Sequence, residues 1–296
     1  MKKFIIFILI LLSIKNVVRS QDVIEIPPLF EYTMPPEEIQ SLEERCNYLV
    51  KNFWNKFDYK NKNAVDQYAL NEAFYIYASA LRFANEKEID QSLDQLLKKL
   101  SGNAGLLLQF GKVAEENLYG PRANFWSDDI YLKFLDAIIK NKKIKEERKI
   151  KFINQAASIR ESSIGQIAPS FWFTDSERAS KQYFPMSTPT IIIFGDPDNT
   201  DWRLSRLKME SNYQFINALE KGKINVLYII PKSSENWQNL VSNYNKLWTV
   251  GQSEEVTKHY DIRLNPTIYI IGNEGKILDK NITPETAVNS VLELIN

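Results

Sequence analysis

The chain is poor in the side chains that most often carry catalysis or bind metals. Its 296 residues include one cysteine, Cys46, and one histidine, His259. A single cysteine excludes a disulfide within the chain, so the fold has to be stable through packing alone. A single histidine argues against a multi-histidine metal site and against a histidine-based catalytic triad.

A long apolar run is also absent. The run from Phe4 to Leu12 is far shorter than the roughly 20 residues of a transmembrane helix, and Lys15 and Arg19 follow it closely. Two lysines before such a run and small residues behind it are typical of a cleaved export signal. We therefore predict a signal peptide over residues 1–20 with cleavage after Ser20, a periplasmic or secreted location, and no stable membrane insertion after signal removal.

The chain has no excess of positive charge. It contains 37 basic and 37 acidic residues, and four of the basic ones lie in the predicted signal peptide. Their removal leaves 33 basic against 37 acidic residues, a formal net charge of −4. Nucleic-acid binding needs a clustered basic surface, so we predict no nucleic-acid partner.

Apolar residues recur at helical spacing from residue 35 to about residue 163. In the stretch that opens with Pro35, one stripe contains Ile39, Leu42, Cys46 and Leu49, so we expect a helix from about residue 35 with Cys46 as a buried, unreactive thiol. Further helices are predicted at 65–84, 88–100, 105–118, 127–140 and 145–161. We assign residues 27–163, the helical half, to one compact all-α domain.

The pattern changes near Gly165. The runs "TIIIF" and "INVLYIIP" flank an amphipathic segment from Trp202 to Lys221, which is typical of a βαβ unit. A polar segment from Glu235 to Tyr260 is predicted as a helical crossover, and the strands "PTIYIIG" and "KILDKN" and a helix from Pro284 to Ile295 follow it. The fold class predicted is α+β overall, with an α/β domain around a central mixed sheet at residues 165–296, the C-terminal half.

Three segments of the C-terminal half carry a family resemblance: "GQIAPSFWF", "TPTIIIFGDPDNTDW" and "HYDIRLNPTIYIIGNEGKIL". In this order and spacing they resemble the thioredoxin-like domain of exported thiol-disulfide oxidoreductases. In the helical half, "IPPLFEYTMPPEEIQSLEERCNYLVKNFWNKFDY" and "LYGPRANFWSDDIYLKFLDAI" resemble a domain of unknown function that precedes thioredoxin-like domains in secreted proteins of Bacteroidota-type bacteria. That second resemblance implies an architecture and no activity.

The resemblance implies where the redox chemistry of the family would be. That chemistry needs two cysteines two residues apart at a helix N-terminus, where the helix dipole stabilises the attacking thiolate. Here the two positions are Asn199 and Trp202, so dithiol exchange is excluded and we predict no catalytic residue. We interpret Asn199 as a helix cap and Trp202 as a packing residue that covers the former site, in preference to a residue that stacks on a ligand.

The resemblance also implies a cis peptide bond between Asn265 and Pro266, the place of the family's cis-proline. In active relatives the backbone beside this proline pairs with an extended substrate segment. Two interpretations stay open: a retained peptide-binding groove made of Asp198, Trp202, Asn265 and Pro266, or a turn needed only to close the sheet, which we favour.

Two further features are interpreted as structural. Asp196, Asp198 and Asp201 depart from the spacing of an EF-hand loop, and Pro197 stiffens the turn, so we predict a capping turn with no metal and no cofactor. His259 falls at a predicted helix end, where it is expected to interact with the helix dipole or with solvent.

These observations support three hypotheses about function. The leading one is a redox-inactive, non-catalytic exported module that binds or scaffolds a protein or peptide. The second is an enzyme, either a divergent thiol-disulfide oxidoreductase or one with an unidentified site in the helical half or the inter-domain cleft, where Arg122, Asp128, Asp129 and Arg160 are scattered candidates. The third is a redox partner that acts through Cys46 alone, which requires an accessible thiol.

Overall fold

A computed structural model describes residues 27–60, 65–185, 187–232 and 236–295. The predicted signal peptide lies outside these residues. Among the residues described, no helix has the length and apolar character needed to cross a bilayer.

The helical half consists of helices joined by short turns. They are α1 (Leu42–Asn52), α2 (Gln67–Leu81), α3 (Glu86–Leu100), α4 (Ala104–Leu118), α5 (Asp128–Lys140) and α6 (Glu146–Glu161), with a 3-10 turn at Phe53–Lys56 after α1. The predicted helices after α1 are all present, and their ends differ from the prediction by three residues at most. This part of the fold prediction is confirmed.

Side-chain caps explain why these helices begin where they do. Asp66, Asn85, Asn103 and Ser127 each accept a hydrogen bond from the backbone N–H three residues further on, at 2.8 to 3.4 Å. Each cap satisfies one of the N–H groups that a helix N-terminus leaves unpaired. Because these caps are local, they can be recognised in the sequence.

The first helix begins later than predicted. The expected start near residue 35 is wrong, because α1 begins at Leu42 with Ser41 as its N-cap. The Ser41 hydroxyl accepts from the Glu44 N–H at 3.5 Å, and Glu43 and Glu44 are the acidic residues of the first turn.

The core of the helical half is rich in aromatic rings. Phe53, Trp54, Phe74 and Phe110 are buried together, and the ring centroids of Trp54 and Phe110 lie 5.0 Å apart. Cys46 is buried in the same core, as predicted, and this burial raises the pKa of its thiol. A thiol in this environment is a poor nucleophile.

In the described part of the C-terminal half, seven strands form one mixed sheet in the order β2-β1-β5-β4-β3-β6-β7. The strands are β1 (Phe171–Asp175), β2 (Ser180–Tyr183), β3 (Thr190–Phe194), β4 (Asn225–Ile230), β5 (Thr249–Gln252), β6 (Thr267–Ile271) and β7 (Ile277–Lys280). The central pairs β3–β4 and β4–β5 are parallel and the others are antiparallel. The predicted α+β class with a mixed sheet is confirmed.

Both faces of the central strands are covered. Along β3, Ile191 and Ile193 enter one core, which also contains Trp202 and Phe215, and Ile192 and Phe194 enter the core on the opposite face, which also contains Val256. This alternation is what a strand imposes on successive side chains. The helices of this half are α7 (Thr200–Ser211), α8 (Tyr213–Glu220), α9 (Trp237–Leu240), α10 (Val256–His259) and α11 (Pro284–Leu294).

Two predictions for the C-terminal half need correction. The amphipathic segment from Trp202 to Lys221 is two helices, because Asn212 has an extended ψ of 109° and its side chain accepts from the Phe215 N–H to cap α8. The predicted helical crossover from Glu235 to Tyr260 contains strand β5 between the short helices α9 and α10. Pairing with β4 and β1 forms this strand, and a tertiary contact of that kind leaves no local pattern.

Candidate functional site

The turn at residues 195–199 connects β3 to α7 and contains Asn199, the first of the two positions at which the family resemblance implies redox cysteines. Asn199 is the N-cap of α7, and its Oδ1 accepts from the Trp202 N–H at 2.8 Å. Asp196 accepts from the Asp198 N–H at 3.0 Å. The side chain at position 199 therefore organises the helix start, in the way the sequence interpretation proposed.

Trp202, at the second position, is part of the core. Its side chain is fully buried, and its indole N–H donates to the Tyr244 hydroxyl at 3.0 Å. The ring stacks on Tyr228 with a centroid distance of 5.3 Å and an interplanar angle of 7°. Because the indole presents no exposed face, its burial favours the packing interpretation, and the expectation that it lines an open groove does not fit this structure.

The loop at residues 261–266, the cis-proline loop, lies against the turn. The Asn265–Pro266 peptide bond is cis, as the resemblance implied. The Asn265 Oδ1 accepts from the Asp196 N–H at 2.9 Å, which joins the loop to the turn. Asp198 and Asn265 are exposed and Pro266 is half-buried, so these three of the four proposed groove residues reach the surface.

Gly195 permits the close approach of the turn and the loop. A Cβ at this position would lie 3.2 Å from the Pro266 Cβ, 3.3 Å from the Tyr228 hydroxyl and 3.4 Å from the Asn265 Oδ1. These contacts are tighter than ordinary van der Waals packing. A larger residue at 195 would therefore push the two segments apart.

The scattered enzyme candidates of the helical half do not converge. Arg122 and Asp129 are exposed, and Arg160 pairs with Asp136 at 2.5 Å. His259 pairs with Glu161 at 2.7 Å, which ties the end of α10 to the end of α6. Among the described residues, no group of three or more His, Cys, Asp or Glu side chains is arranged to hold a metal ion.

The fourth enzyme candidate, Asp128, belongs to a buried ion cluster that sequence reasoning missed. Arg263 of the cis-proline loop donates to Asp128 at 2.6 Å and also pairs with Asp261. Lys280 lies 2.7 Å from Asp128 and 3.3 Å from Asp261, and Tyr119 donates to Asp261 at 2.7 Å. Within the loop sequence, the cluster is indicated only by the charged residues at positions 261 and 263. These residues do not reveal partners that lie far away in the chain.

In this cluster, burial and the neighbouring charges shift the pKa values of Asp128 and Arg263 in opposite directions. Burial by itself would raise the pKa of Asp128, but the charges of Arg263 and Lys280 outweigh it and lower that pKa. Burial would lower the pKa of Arg263, yet hydrogen bonds and charge from Asp261 and Asp128 raise it. Burial and the adjacent Asp261 carboxylate raise the pKa of the Tyr119 hydroxyl. Asp128 and Arg263 are therefore ionised near neutral pH.

Two surface depressions lie away from the turn and the cis-proline loop. One of about 620 Å³ in the helical half has Leu108 and Phe152 among its lining residues, together with charged side chains such as Arg148. The other, of about 350 Å³, is lined by the half-exposed Trp172 and by Ser180 among others. Neither is lined by Asn199, Trp202, Asn265 or Pro266.

Comparisons with known proteins agree with this architecture. The domain of unknown function DUF5106 matches residues 13–162. A thioredoxin-like protein from Bacteroides caccae is 18% identical in sequence, with 88% of this chain and 98% of that chain covered and a TM-score of 0.70. Because that superposition spans both halves, the thioredoxin-like fold is confirmed. At a sequence identity of 18%, the likeness shows the fold alone.

Two further structures resemble part of the chain. The thioredoxin domain of a thiol-disulfide oxidoreductase from Bacteroides vulgatus is 18% identical and covers 45% of this chain and 99% of its own, with a TM-score of 0.40. A thiol:disulfide interchange protein from Bacteroides sp. is 18% identical and covers 46% of this chain and 92% of its own, also at 0.40. The comparison with curated proteins gave no match.

Proposed function

This chain belongs to the DUF5106 family of domains of unknown function, and on that premise we propose that it is an exported, non-catalytic module that binds or scaffolds a protein or peptide. Residues 27–163 and 165–296 are its two domains in this proposal, after removal of a signal peptide. The thioredoxin-like fold supplies the framework, and the exported location rests on the charged and apolar pattern of residues 1–20.

The observation that carries the proposal is the identity and environment of the two residues at the start of α7. Asn199 caps the helix and Trp202 is buried in the core. Thiol-disulfide exchange requires a thiolate at this point, and neither side chain can supply one. Cys46 is buried in the other half of the chain and cannot take over the role without local unfolding.

The proposed contact surface is formed by the turn and the cis-proline loop. Asp198 and Asn265 are exposed beside the half-buried Pro266, and the hydrogen bond from the Asp196 N–H to Asn265 makes the two segments continuous. Trp202 supports this surface from beneath by filling the core. A partner would thus contact the exposed polar groups and the backbone beside the proline, as extended peptides do at strand edges.

A reductase assay tests the absence of catalysis. The purified protein without its first 20 residues is mixed with insulin and dithiothreitol, and precipitation of the reduced insulin chain is followed against a buffer control and an active thiol-disulfide oxidoreductase. We expect the rate of the buffer control. Turnover well above that rate would contradict the proposal, and its persistence in a Cys46→Ser variant would assign it to a group other than the thiol.

Peptide selection tests the binding surface. A random peptide library is displayed on phage and selected on the immobilised protein, and enriched peptides are titrated against wild type, Asn265→Ala and Asn154→Ala. Asn154 is an exposed residue of α6 and serves as the matched control. We expect binding that Asn265→Ala weakens and Asn154→Ala leaves unchanged; equal binding by all three proteins, or no enrichment, would contradict the proposed surface.

A further inference from the structure

The cis-proline loop is held by residues of the helical half. Arg263, three positions before Pro266, donates through Nη2 to the Asp128 Oδ1 at 2.6 Å, and Asp128 is the first residue of α5. Tyr119, at the end of α4, donates its hydroxyl to the Asp261 Oδ1 at 2.7 Å. Two residues of the loop are thereby bound to two helices of the other half.

Further contacts join the loop and strand β6 to the helical half. The Asp261 N–H donates to the Ser162 hydroxyl at 3.0 Å, just after α6, and the Tyr269 hydroxyl of β6 also donates to Ser162 at 3.0 Å. The Arg263 guanidinium carbon lies 4.2 Å from the centroid of the Tyr119 ring. The loop is therefore packed and hydrogen-bonded on the side that faces the helical half.

The ions of this interface are shielded from water and balance one another. The side chains of Arg263 and Lys280 are 3% and 8% exposed, those of Asp261 and Asp128 are 0% and 24% exposed, and the set contains two cations and two carboxylates. Removal of one member of a buried set leaves the others uncompensated in a medium of low dielectric constant. The arrangement consequently resists separation of the two halves at this point.

We infer that the helical half acts as a brace for the cis-proline loop and that Asp128 is the positioning residue through which it acts. Within its own half, the loop is held at Leu264 by Thr267 Oγ1, at Asn265 by the Asp196 N–H, and at Asp261 by Tyr269 and Lys280. The Arg263 side chain, by contrast, reaches into the helical half, to Asp128 and to the Tyr119 carbonyl. Asp128 engages both cations of the cluster, Arg263 from the loop and Lys280 from β7. This inference goes beyond the proposed binding role and does not depend on it.

The chain contains a matched control for Asp128. Asp129 is the next residue in the same first turn of α5 and is exposed to solvent, and among the described residues it forms no hydrogen bond or ion pair with the cluster. Asp128→Asn and Asp129→Asn therefore remove the same charge from the same helix N-terminus. Only Asp128→Asn also removes the compensating charge beside Arg263 and Lys280.

Hydrogen exchange of the full mature chain, measured by mass spectrometry, tests the brace. We expect peptides that contain residues 261–264 to exchange about tenfold faster or more in Asp128→Asn than in wild type, because local opening is governed by local stability. Asp129→Asn should exchange as wild type does. Equal exchange in the two variants would overturn the inference, as would an acceleration in Asp128→Asn that is uniform across the chain.

Tyr119→Phe provides a second, milder variant that retains every charge of the cluster. It removes the hydroxyl that donates to Asp261 and should accelerate exchange in the same segment by a smaller factor. Unchanged exchange in the loop of Tyr119→Phe would contradict the brace even if Asp128→Asn failed to fold. Neither measurement needs a ligand, so its failure is distinguishable from a failure of the peptide-binding proposal.

Discussion

A pair of cysteines at positions 199 and 202 cannot be introduced here without damage to the core, because Trp202 is a core residue. The double variant Asn199→Cys/Trp202→Cys recreates the spacing of the redox pair at the start of α7. In this structure the indole is fully buried, stacked on Tyr228 and hydrogen-bonded to Tyr244. We therefore expect Trp202→Cys to be strongly destabilising.

The magnitude follows from the contacts that are lost. Truncation of a buried tryptophan to a small side chain costs about 3–5 kcal/mol of the free energy of unfolding. The Tyr244 hydroxyl loses its donor at a further cost of about 1 kcal/mol, and loss of the Asn199 cap costs roughly 1 kcal/mol. Their sum is a large part of the about 5–15 kcal/mol that stabilises a typical domain.

Urea unfolding followed by far-UV circular dichroism measures this cost without relying on tryptophan fluorescence. Trp172→Cys is the matched control, because Trp172 is half-exposed on β1 and its replacement should cost less than about 1 kcal/mol. If Trp202→Cys and Trp172→Cys unfolded at the same urea concentration, the argument that Trp202 stabilises the core would be refuted.

Three further predictions follow from single contacts. Arg263 and Lys280 outweigh the effect of burial and lower the pKa of Asp128 below its ordinary 3.8. This carboxylate therefore stabilises the fold above that pH and loses its contribution as the pH falls through the lowered pKa. Between pH 6 and 2, the free energy of unfolding should fall less steeply in Asp128→Asn than in wild type. Gly195→Ala should reduce the free energy of unfolding by about 1–3 kcal/mol, because the added Cβ meets Pro266 at 3.2 Å. Tyr244→Phe should cost about 1–3 kcal/mol, because it leaves the buried indole N–H of Trp202 without an acceptor.

Each of these three variants has a matched control variant in the same chain. Asp129→Asn should retain the wild-type acid dependence. Gly105→Ala, inside α4 where a Cβ meets nothing closer than 3.6 Å, should raise stability by about 0.5–1 kcal/mol. Tyr213→Phe, at a side chain that is 81% exposed, should change little. If a variant behaved like its control, the predicted effect of the contact named for that variant would be contradicted.

The positions of helices α2 to α6 could be predicted because their signals are local. Caps such as Asp66 and Ser127 act on the backbone three residues away, and apolar periodicity marks the buried face of each helix. Strand β5 could not be predicted in this way. Its residues form a strand because β4 and β1 lie on either side, and at Gly251 a Cβ would come 2.4 Å from the Phe173 ring.

The absence of a cysteine pair at positions 199 and 202 was decided by the sequence, since Asn199 and Trp202 contain no sulfur and the only cysteine is Cys46. Composition and spacing are sufficient for that conclusion, because no arrangement of other side chains forms the thiolate that dithiol exchange requires. The tertiary structure decided that Trp202 fills the core and that Asp128 meets Arg263, which lies 135 residues further along the chain. Burial and ion pairing at such separations depend on how whole elements pack, and no local pattern records them.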